Sequence, residues 1–206
     1  MGTRTPRSPT PDATAAREFH AFFEERHAEL ARLAHLLLGE SEGADDLAAD
    51  ALVAVWHRWD RVRRAENPAA YARGVLTNLA RSRIRSRVRE RRRIALFWSA
   101  RGETVTQGPD VPAVVDVRAA LARLPFRKRA CVVLRHAFDL SERETARALG
   151  ISVGAVKSQT SRGMAALARL LSSHREEPSA PDTGWTGDRA AATVRALRPG
   201  PAERRS

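Results

Sequence analysis

The sequence predicts an all-α protein of two small helical domains joined by a flexible linker. Apolar residues recur at three- and four-residue steps in two long blocks, 15–93 and 114–172, and this period is typical of helices with one buried face. A stretch rich in Gly and Pro, 94–113, separates the blocks and shows no period, so we expect it to be the linker. No alternation of apolar and polar residues is long enough to predict a strand.

Composition limits the environment and the partners of the chain. The 206 residues carry a formal net charge of +12, and a surplus of this size is typical of proteins that bind nucleic acid. Cys131 is the only cysteine, which excludes an intrachain disulfide or a multi-cysteine zinc site. No apolar run approaches the roughly 20 residues that span a bilayer, and residues 1–12 lack the apolar core of a secretory signal. We therefore expect a cytoplasmic protein with no membrane insertion, no cofactor and no metal.

The first domain is predicted to begin after a disordered leader, 1–14. Its first helix starts at Ala15, stops at Gly39 and carries one apolar stripe. That stripe consists of Phe19, Phe22, Phe23, Leu30, Leu33, Leu36 and Leu37. A second helix is expected with Ser41 as its N-cap. Its apolar face is Leu47, Ala51, Leu52, Val55, Trp56 and Trp59, and Asp45, Asp46 and Asp50 lie on its other faces.

The third helix of this domain is predicted to start at Pro68, a residue suited to a first helical turn. Its inner stripe is Tyr71, Val75, Leu76 and Leu79. Between Arg81 and Arg93 it then carries eight arginines and a single acid, Glu90. Because so many arginines cannot all be buried, this stretch is either a solvated cationic rod or a phosphate-binding one.

The second domain, 114–172, has the spacing of a helix-turn-helix between Ser141 and Leu170. Ser141 and Glu144 have capping-box spacing, and Gly150 supplies the positive φ that a tight turn needs. Ala146 leaves room where the second helix crosses the first, and Val156 faces back into the pair. An ordinary helical hairpin with a polar face is the alternative. The remaining residues, 173–206, are rich in Pro, Gly, Ala and Arg and are predicted to form a disordered tail.

The outward face of the second of these helices is polar and cationic. With Val156, Met164 and Leu167 inward, short polar and basic side chains face outward, where they suit base edges and phosphates in a major groove. The candidates for DNA contact are Ser152, Lys157, Ser158, Gln159, Ser161 and Arg162.

At this point the sequence resembles a known family, the extracytoplasmic-function (ECF) sigma factors. The run LPFRKRACVVLRHAFDLSERETARALGISVGAVKSQTSRGMAAL resembles their region four, which reads the −35 promoter element. The runs EGADDLAADALVAVWHRWDRV and NPAAYARGVLTNLARSRIRSR resemble their region two. The resemblance covers Phe19–Arg93 and Val114–Leu171. It implies a factor that binds core RNA polymerase, recognises the −35 and −10 elements of promoter DNA and aids strand opening.

The resemblance also implies roles for single residues. Asp46, Leu47 and Asp50 match the family's docking surface for the polymerase large subunit. Asn78 matches a residue that captures a base extruded from the −10 element, and Arg81 and Arg85 would follow the freed strand. An anti-sigma factor is a further candidate partner. The chain departs from the family pattern at three positions, namely Ala49, Ser82 and Ala155.

Two other functions compete with this interpretation. The first is a helix-turn-helix regulator that acts without polymerase, but it leaves the acidic second helix and the arginine-rich third helix unexplained. The second is an enzyme, because Asp45, Asp46 and Asp50 loosely resemble the acidic metal clusters of helical prenyl-chain enzymes. The chain has no second such motif, and its six histidines show no shared ligand spacing. We therefore expect that it is not an enzyme.

Overall fold

The helices form two units in the structure, a computed structural model that describes residues 13–39, 42–99, 117–172 and 187–197. The first unit contains α1 (Ala13–Leu38), α2 (Ala44–Trp56), the single turn α3 (Trp59–Val62) and α4 (Pro68–Ser99). The second contains α5 (Val117–Arg123), α6 (Phe126–Val132) with a π-helical turn (Val133–Ala137), α7 (Glu142–Leu149), α8 (Val153–Ser172) and α9 (Gly187–Ala196). Every regular element in the described ranges is helical, so the predicted all-α class is confirmed. None of these helices is long and apolar enough to cross a bilayer.

Large side chains and ion pairs hold the first unit together. The predicted stripe of α1 packs against α2 and α4, with Leu33 and Leu37 fully buried. The ring of Phe19 lies 4.8 Å from that of Trp56 and 5.3 Å from that of Trp59. Further along α1, the Nη2 and Nε atoms of Arg73 on α4 lie 2.5 and 2.6 Å from Glu29 Oε1. Long side chains therefore join α1 to α2, α3 and α4.

The start of α2 differs from the prediction. Ser41 lies outside the described residues, and α2 begins at Ala44 with Gly43 in the N-cap position, so the predicted cap at Ser41 is wrong. Gly43 has a φ of +73°, and its carbonyl accepts a hydrogen bond of 3.0 Å from Arg83 Nη1 on α4. Glycine is needed here because the backbone is left-handed. The position of this N-cap is therefore stabilised by a residue 40 positions further along the chain.

Two predicted boundaries also move. Helix α1 begins at Ala13, two residues inside the predicted leader, and α4 continues to Ser99, six residues into the predicted linker 94–113. Residues 94–99 contain neither Gly nor Pro, so nothing in the sequence stops the helix there. The rest of that linker and the start of the second domain, 100–116, lie outside the described residues.

The second unit relies on a close approach of backbones. Helix α8 crosses α6 at Gly163, which is buried. A Cβ atom at this position would lie 2.7 Å from Val132 Cγ2 and 3.3 Å from the carbonyl oxygen of Lys128. Glycine inside a helix lowers its intrinsic stability, and here the crossing of α6 explains why it is present.

The prediction of a disordered tail, 173–206, is wrong for residues 187–197. Helix α9 packs on α8 and on the π-helical turn, and it buries Ala190, Ala191 and Val194. These three residues have helical spacing, but the small apolar side chains stand out little from a tail rich in Ala, Pro and Arg. Burial also lowers the pKa of His136 in the turn, and the charges of Arg135 and Arg195 act in the same direction.

The two units pack directly on each other. The buried guanidinium of Arg129 on α6 donates from Nη1 to the carbonyl oxygen of Leu37 at the end of α1, at 2.7 Å. It also donates from Nη2 to the carbonyl oxygens of Ala122 and Leu124 at 2.7 and 3.1 Å. Burial lowers the pKa of Arg129. Beside it, Gly39 (φ +80°) leaves room for Ala122, since a Cβ at Gly39 would lie 2.6 Å from that of Ala122.

Candidate nucleic-acid interface

The start of the helix-turn-helix is fixed by a capping box. The backbone N–H of Glu144 donates to Ser141 Oγ at 3.2 Å, and the backbone N–H of Ser141 donates to Glu144 Oε2 at 2.8 Å. The predicted capping box is therefore confirmed. The hydrogen bonds from Ser141 lower the pKa of Glu144, so this carboxylate stays ionised, and the cap intact, at a lower pH than for an unpaired glutamate.

The turn and the second helix follow the predicted pattern. Gly150 has a φ of +62°, and the N–H of Ile151 donates to the carbonyl of Ala146 at 3.1 Å, which closes α7. Ser152 Oγ then accepts from the N–H of Ala155 at 3.2 Å and so caps α8. Val156 is fully buried against the pair. These contacts confirm the helix-turn-helix and fix the direction in which α8 leaves the turn.

The outward face of α8 carries the predicted DNA-contacting residues. Lys157, Ser161 and Arg162 are exposed, and their spacing places them on one face of the helix. Lys157 Nζ lies 3.5 Å from Glu142 Oε2 on α7, so this lysine also ties the two helices together. Ser152, exposed at the start of the helix, uses its oxygen in the cap.

Two of the predicted contacts are less open. Ser158 and Gln159 are half-buried. Ser158 Oγ donates to the carbonyl oxygen of Ala155 at 3.1 Å, which leaves its hydroxyl only as an acceptor. The open part of this face is therefore cationic and centred on Arg162.

The predicted strand-opening residues lie on α4, and two of them face the second unit. Asn78 and Arg81 are one turn apart on this helix, and Asn78 borders a cavity of about 500 Å³. The first unit contributes Arg58, Ala65, Glu66, Asn67, Ala70, Tyr71, Gly74 and Val75 to the same cavity, and α7 contributes Glu144, Arg147 and Ala148. Arg81 lies in a smaller cleft beside Phe126 and Ile151. Arg85, one turn further on, is exposed.

Not every arginine of the α4 ladder is available for DNA. Arg83 is committed to the Gly43 carbonyl, and Arg93 Nη2 lies 2.9 Å from Glu90 Oε1. The sequence alone did not separate Arg83 from Arg81 and Arg85, because the partner of Arg83 lies in a distant loop.

The predicted docking face on α2 needs one correction. Asp46 and Asp50 are exposed, as predicted, but Leu47 is only 3% exposed and belongs to the core. The side chain of Leu47 points toward the other helices of the unit, so Leu47 is not part of the docking surface. Val53, one turn after Asp50 and 55% exposed, is the apolar residue on that face. Its three-residue step from Asp50 was the signal that sequence reasoning missed.

Metal ligands do not come together in the part of the chain that the structure describes, where no three His, Cys, Asp or Glu side chains are grouped to hold an ion. Cys131 is buried, and burial raises its thiol pKa to about 11. A thiol in this state is a poor nucleophile at neutral pH.

Two family models match the chain in the order that the two units predict. The model for Sigma-70 region 2 matches residues 22–90, and the model for Sigma-70, region 4, matches residues 115–167. Together they cover more than half of the chain. It belongs to the sigma-70 family of RNA polymerase sigma factors.

Relatives place this sigma factor in the ECF branch. It is 34% identical over 157 residues to the RNA polymerase sigma-E factor of Streptomyces avermitilis, covering 76% of this chain and 86% of the relative. It is 35% identical over 157 residues to the ECF RNA polymerase sigma factor SigM of Mycobacterium tuberculosis, covering 74% of this chain and 76% of that one.

Solved structures agree with the fold of this ECF sigma factor. The sigma factor RpoE, in complex with the anti-sigma factor NepR from Bartonella quintana, matches with a TM-score of 0.60 and 25% identity over 75% of this chain and 97% of that one. CnrH, in complex with the cytosolic domain of CnrY, matches with a TM-score of 0.54 and 25% identity over 78% of this chain and 94% of that one.

Proposed function

We propose that this ECF sigma factor binds core RNA polymerase and directs transcription initiation at promoters with −35 and −10 elements. The observation that carries the proposal is the combination of surfaces in one chain. A capped helix-turn-helix presents Arg162 on an open face, and a separate unit presents Asp46 and Asp50 on one helix and an arginine ladder on the next. A regulator that only reads duplex DNA needs the first of these surfaces and not the others.

Each surface has a distinct chemical task in this proposal. The exposed carboxylates of Asp46 and Asp50, with Val53 between polar neighbours, dock on the polymerase, because an apolar anchor within a charged rim suits a specific protein interface. The outer face of α8 reads the −35 element through base edges and phosphates.

In this proposal, residues of α4 aid strand opening. The Asn78 amide both donates and accepts hydrogen bonds, as a base edge does, and it can hold a base that has left the stack. Arg81 and Arg85, at successive turns, are spaced to follow the backbone of the freed strand.

The partners and the compartment follow from the same proposal. We infer that the chain works in the cytoplasm, where polymerase and promoter DNA are, and that it catalyses no reaction of its own. RpoE was solved in complex with the anti-sigma factor NepR, and CnrH in complex with the cytosolic domain of CnrY. By that likeness we propose an anti-sigma factor as a regulator of this chain.

Run-off transcription with purified core polymerase tests the proposal. We expect the chain to co-purify with core polymerase and to start transcripts at discrete sites on genomic DNA, with shared −35 and −10 sequences upstream. Tight sequence-specific binding by the free chain, without any effect on polymerase, would favour the regulator that acts alone.

A further inference from the structure

Helix α9 contacts the second unit at two points that matter for the helix-turn-helix. It packs on α8 and on the π-helical turn Val133–Ala137, through which the chain reaches α7. The residues that α9 buries are Ala190, Ala191 and Val194, each at most 6% exposed, and their spacing places them on one face. A ten-residue helix is too short to be stable in water by itself, so α9 depends on this packing.

The π-helical turn is joined by hydrogen bonds to the start of α7. The N–H of Phe138 donates to the carbonyl of Val133 at 3.2 Å, and the N–H of Leu140 donates to the carbonyl of Leu134 at 3.0 Å. The side chain of Arg135 donates from Nη1 to the carbonyl of Leu140, the residue directly before the N-cap of α7. The turn that α9 covers therefore sets where α7 begins.

Helix α9 leaves the DNA-reading residues of α8 uncovered. Lys157, Ser161 and Arg162 are exposed with α9 in place. The later part of α8 is the part that other helices cover, and its buried side chains there are Met164, Leu167, Ala168 and Leu171. Because α9 does not block the residues that would contact DNA, its position favours a support for α8 over a lid on it.

We propose that α9 is a positioning element for recognition of the −35 element, which fixes the orientation of α8 relative to α7 by packing on α8 and on the π-helical turn at once. This role rests on the proposed function, because it assigns α9 a part in base reading by α8. Base contacts require side chains to be held within about 0.5 Å of their productive geometry. Phosphate contacts carry no sequence information, so a small rotation of α8 should cost sequence preference first.

A histidine beside α9 reports whether this helix is docked. His136 lies in the π-helical turn, where burial lowers its pKa, the charges of Arg135 and Arg195 act in the same direction, and Asp139 acts against them. Arg195 belongs to α9. Release of α9 would remove the charge of Arg195 and expose the turn, and both changes raise the pKa of His136 toward its ordinary value.

Two substitutions at neighbouring positions of α9 test the proposal in the full chain. Ala191 is buried and Ala192 is exposed. Ala191→Glu places a carboxylate where only a methyl group is packed, so it should release α9. Ala192→Glu adds the same side chain and the same charge to the same helix, and it should leave α9 docked. Val194→Asp, at a fully buried position of the same face, is a second release variant.

Docking is measured first, without DNA or polymerase. NMR titration of the His136 imidazole, assigned by comparison with His136→Gln, should show a higher pKa in both release variants than in the wild type and in Ala192→Glu. The backbone amides of α9 should also exchange with solvent faster in the release variants. Unchanged titration and unchanged exchange in both Ala191→Glu and Val194→Asp would overturn the docking of α9.

Run-off transcription with core polymerase then measures base reading. Two templates share one −10 element and differ in whether the −35 element is intact or scrambled. We expect the release variants to lower the ratio of the two activities about tenfold, the equivalent of one base contact of about 1.4 kcal/mol. Transcription from the scrambled template and capture of core polymerase should not change, and Ala192→Glu should keep the wild-type ratio. A loss of stability alone would lower both templates alike, so the ratio separates positioning from folding.

The outcomes for α9 and for the proposed function are distinguishable. If α9 is released and the ratio stays at its wild-type value or rises, the positioning role is overturned while wild-type transcription still supports a sigma factor. An equal loss on both templates overturns it as well, since α9 would then only stabilise the unit. If the wild type fails to program core polymerase or ignores the −35 element, the proposed function fails and the role of α9 fails with it.

Discussion

The two units present their candidate DNA-binding residues in different ways. On α8, Arg162 and Ser161 stand open to solvent, and the neighbouring capping box and Gly150 turn fix the direction of the helix. On α4, Arg81 is half-buried in a cleft beside the other unit, and the exposed Asn78 borders a cavity that α7 also lines. The outer face of α8 is oriented by its own cap and turn, so it is available for DNA as soon as the second unit folds. The exposure of residues on α4 depends instead on which other helices pack on α4.

Their cores differ as well. The first unit is joined by long side chains, such as the Arg73–Glu29 pair and the Phe19–Trp59 contact, which can adjust by rotation. The second unit brings α8 onto α6 at Gly163, where the short branched side chain of Val132 and the backbone carbonyl of Lys128 limit the space. Neither can rotate away as a long side chain can, so we expect the second unit to tolerate added volume least.

The largest expected effect concerns the surface of the first unit. Asp46→Arg with Asp50→Arg should lower affinity for core polymerase on the order of 100-fold, because reversed charges at an interface cost several kcal/mol. Both side chains are exposed, so the melting temperature should stay within a few degrees of the wild type. Binding is measured by pull-down of core polymerase, with Asp45→Arg, an exposed acid on a different side of α2, as the control. Wild-type capture of polymerase by the double variant would remove the docking assignment.

The next effect tests the contrast between the cores. Gly163→Ala should destabilise the second unit by about 1–3 kcal/mol, because its methyl would lie 2.7 Å from Val132 Cγ2. Gly154→Ala, in the same helix, is the matched control. A Cβ at Gly154 meets no atom within 4 Å in the described part of the chain, and removing a helical glycine stabilises by up to about 1 kcal/mol. Denaturant unfolding measures both, and equal free energies of unfolding would show that the crossing at Gly163 is not tight.

The sequence predicted the elements that local chemistry determines and missed those that distant contacts determine. The stripe of α1, the stop at Gly39, the capping box at Ser141 and the turn at Gly150 all depend on neighbours within a few residues, and all are present. The roles of Gly163, Arg129 and Arg83 depend on partners in other helices or loops, which no local pattern reveals. Helix α9 was not predicted because its buried residues are small and give only a weak apolar pattern.

The candidate site shows the same division. The outward face of α8 and the burial of Leu47 both followed from the helical period. The docking role of Leu47 came from the resemblance alone, and it conflicts with the place of Leu47 on the apolar face of α2. The cavity that Asn78 shares with α7 could not be predicted either, since it requires the relative placement of the two units.

A smaller effect is expected on promoter choice. Arg162→Ala and Gln159→Ala should each change the preferred −35 sequence, because a good base contact discriminates by roughly 1–3 kcal/mol. Lys157→Ala should weaken binding to all sequences alike and flatten the salt dependence, as loss of a phosphate contact does. A promoter library read with each variant compares them. Identical −35 preferences for all three variants would contradict base reading by α8. The helix would then contact only the phosphate backbone.

The smallest expected effect tests whether Asn78 acts on DNA or on the fold. Asn78→Ala should lower run-off transcription from duplex promoters about tenfold, the equivalent of one or two hydrogen bonds of about 1 kcal/mol each. A residue that captures a base matters only while the strands are being separated, so a template with a premelted −10 bubble should recover much of the activity. Since the Asn78 side chain is exposed, the melting temperature should not change. A defect that persists on the bubble, together with a lower melting temperature, would mean that Asn78 holds the structure of the unit and does not capture a base.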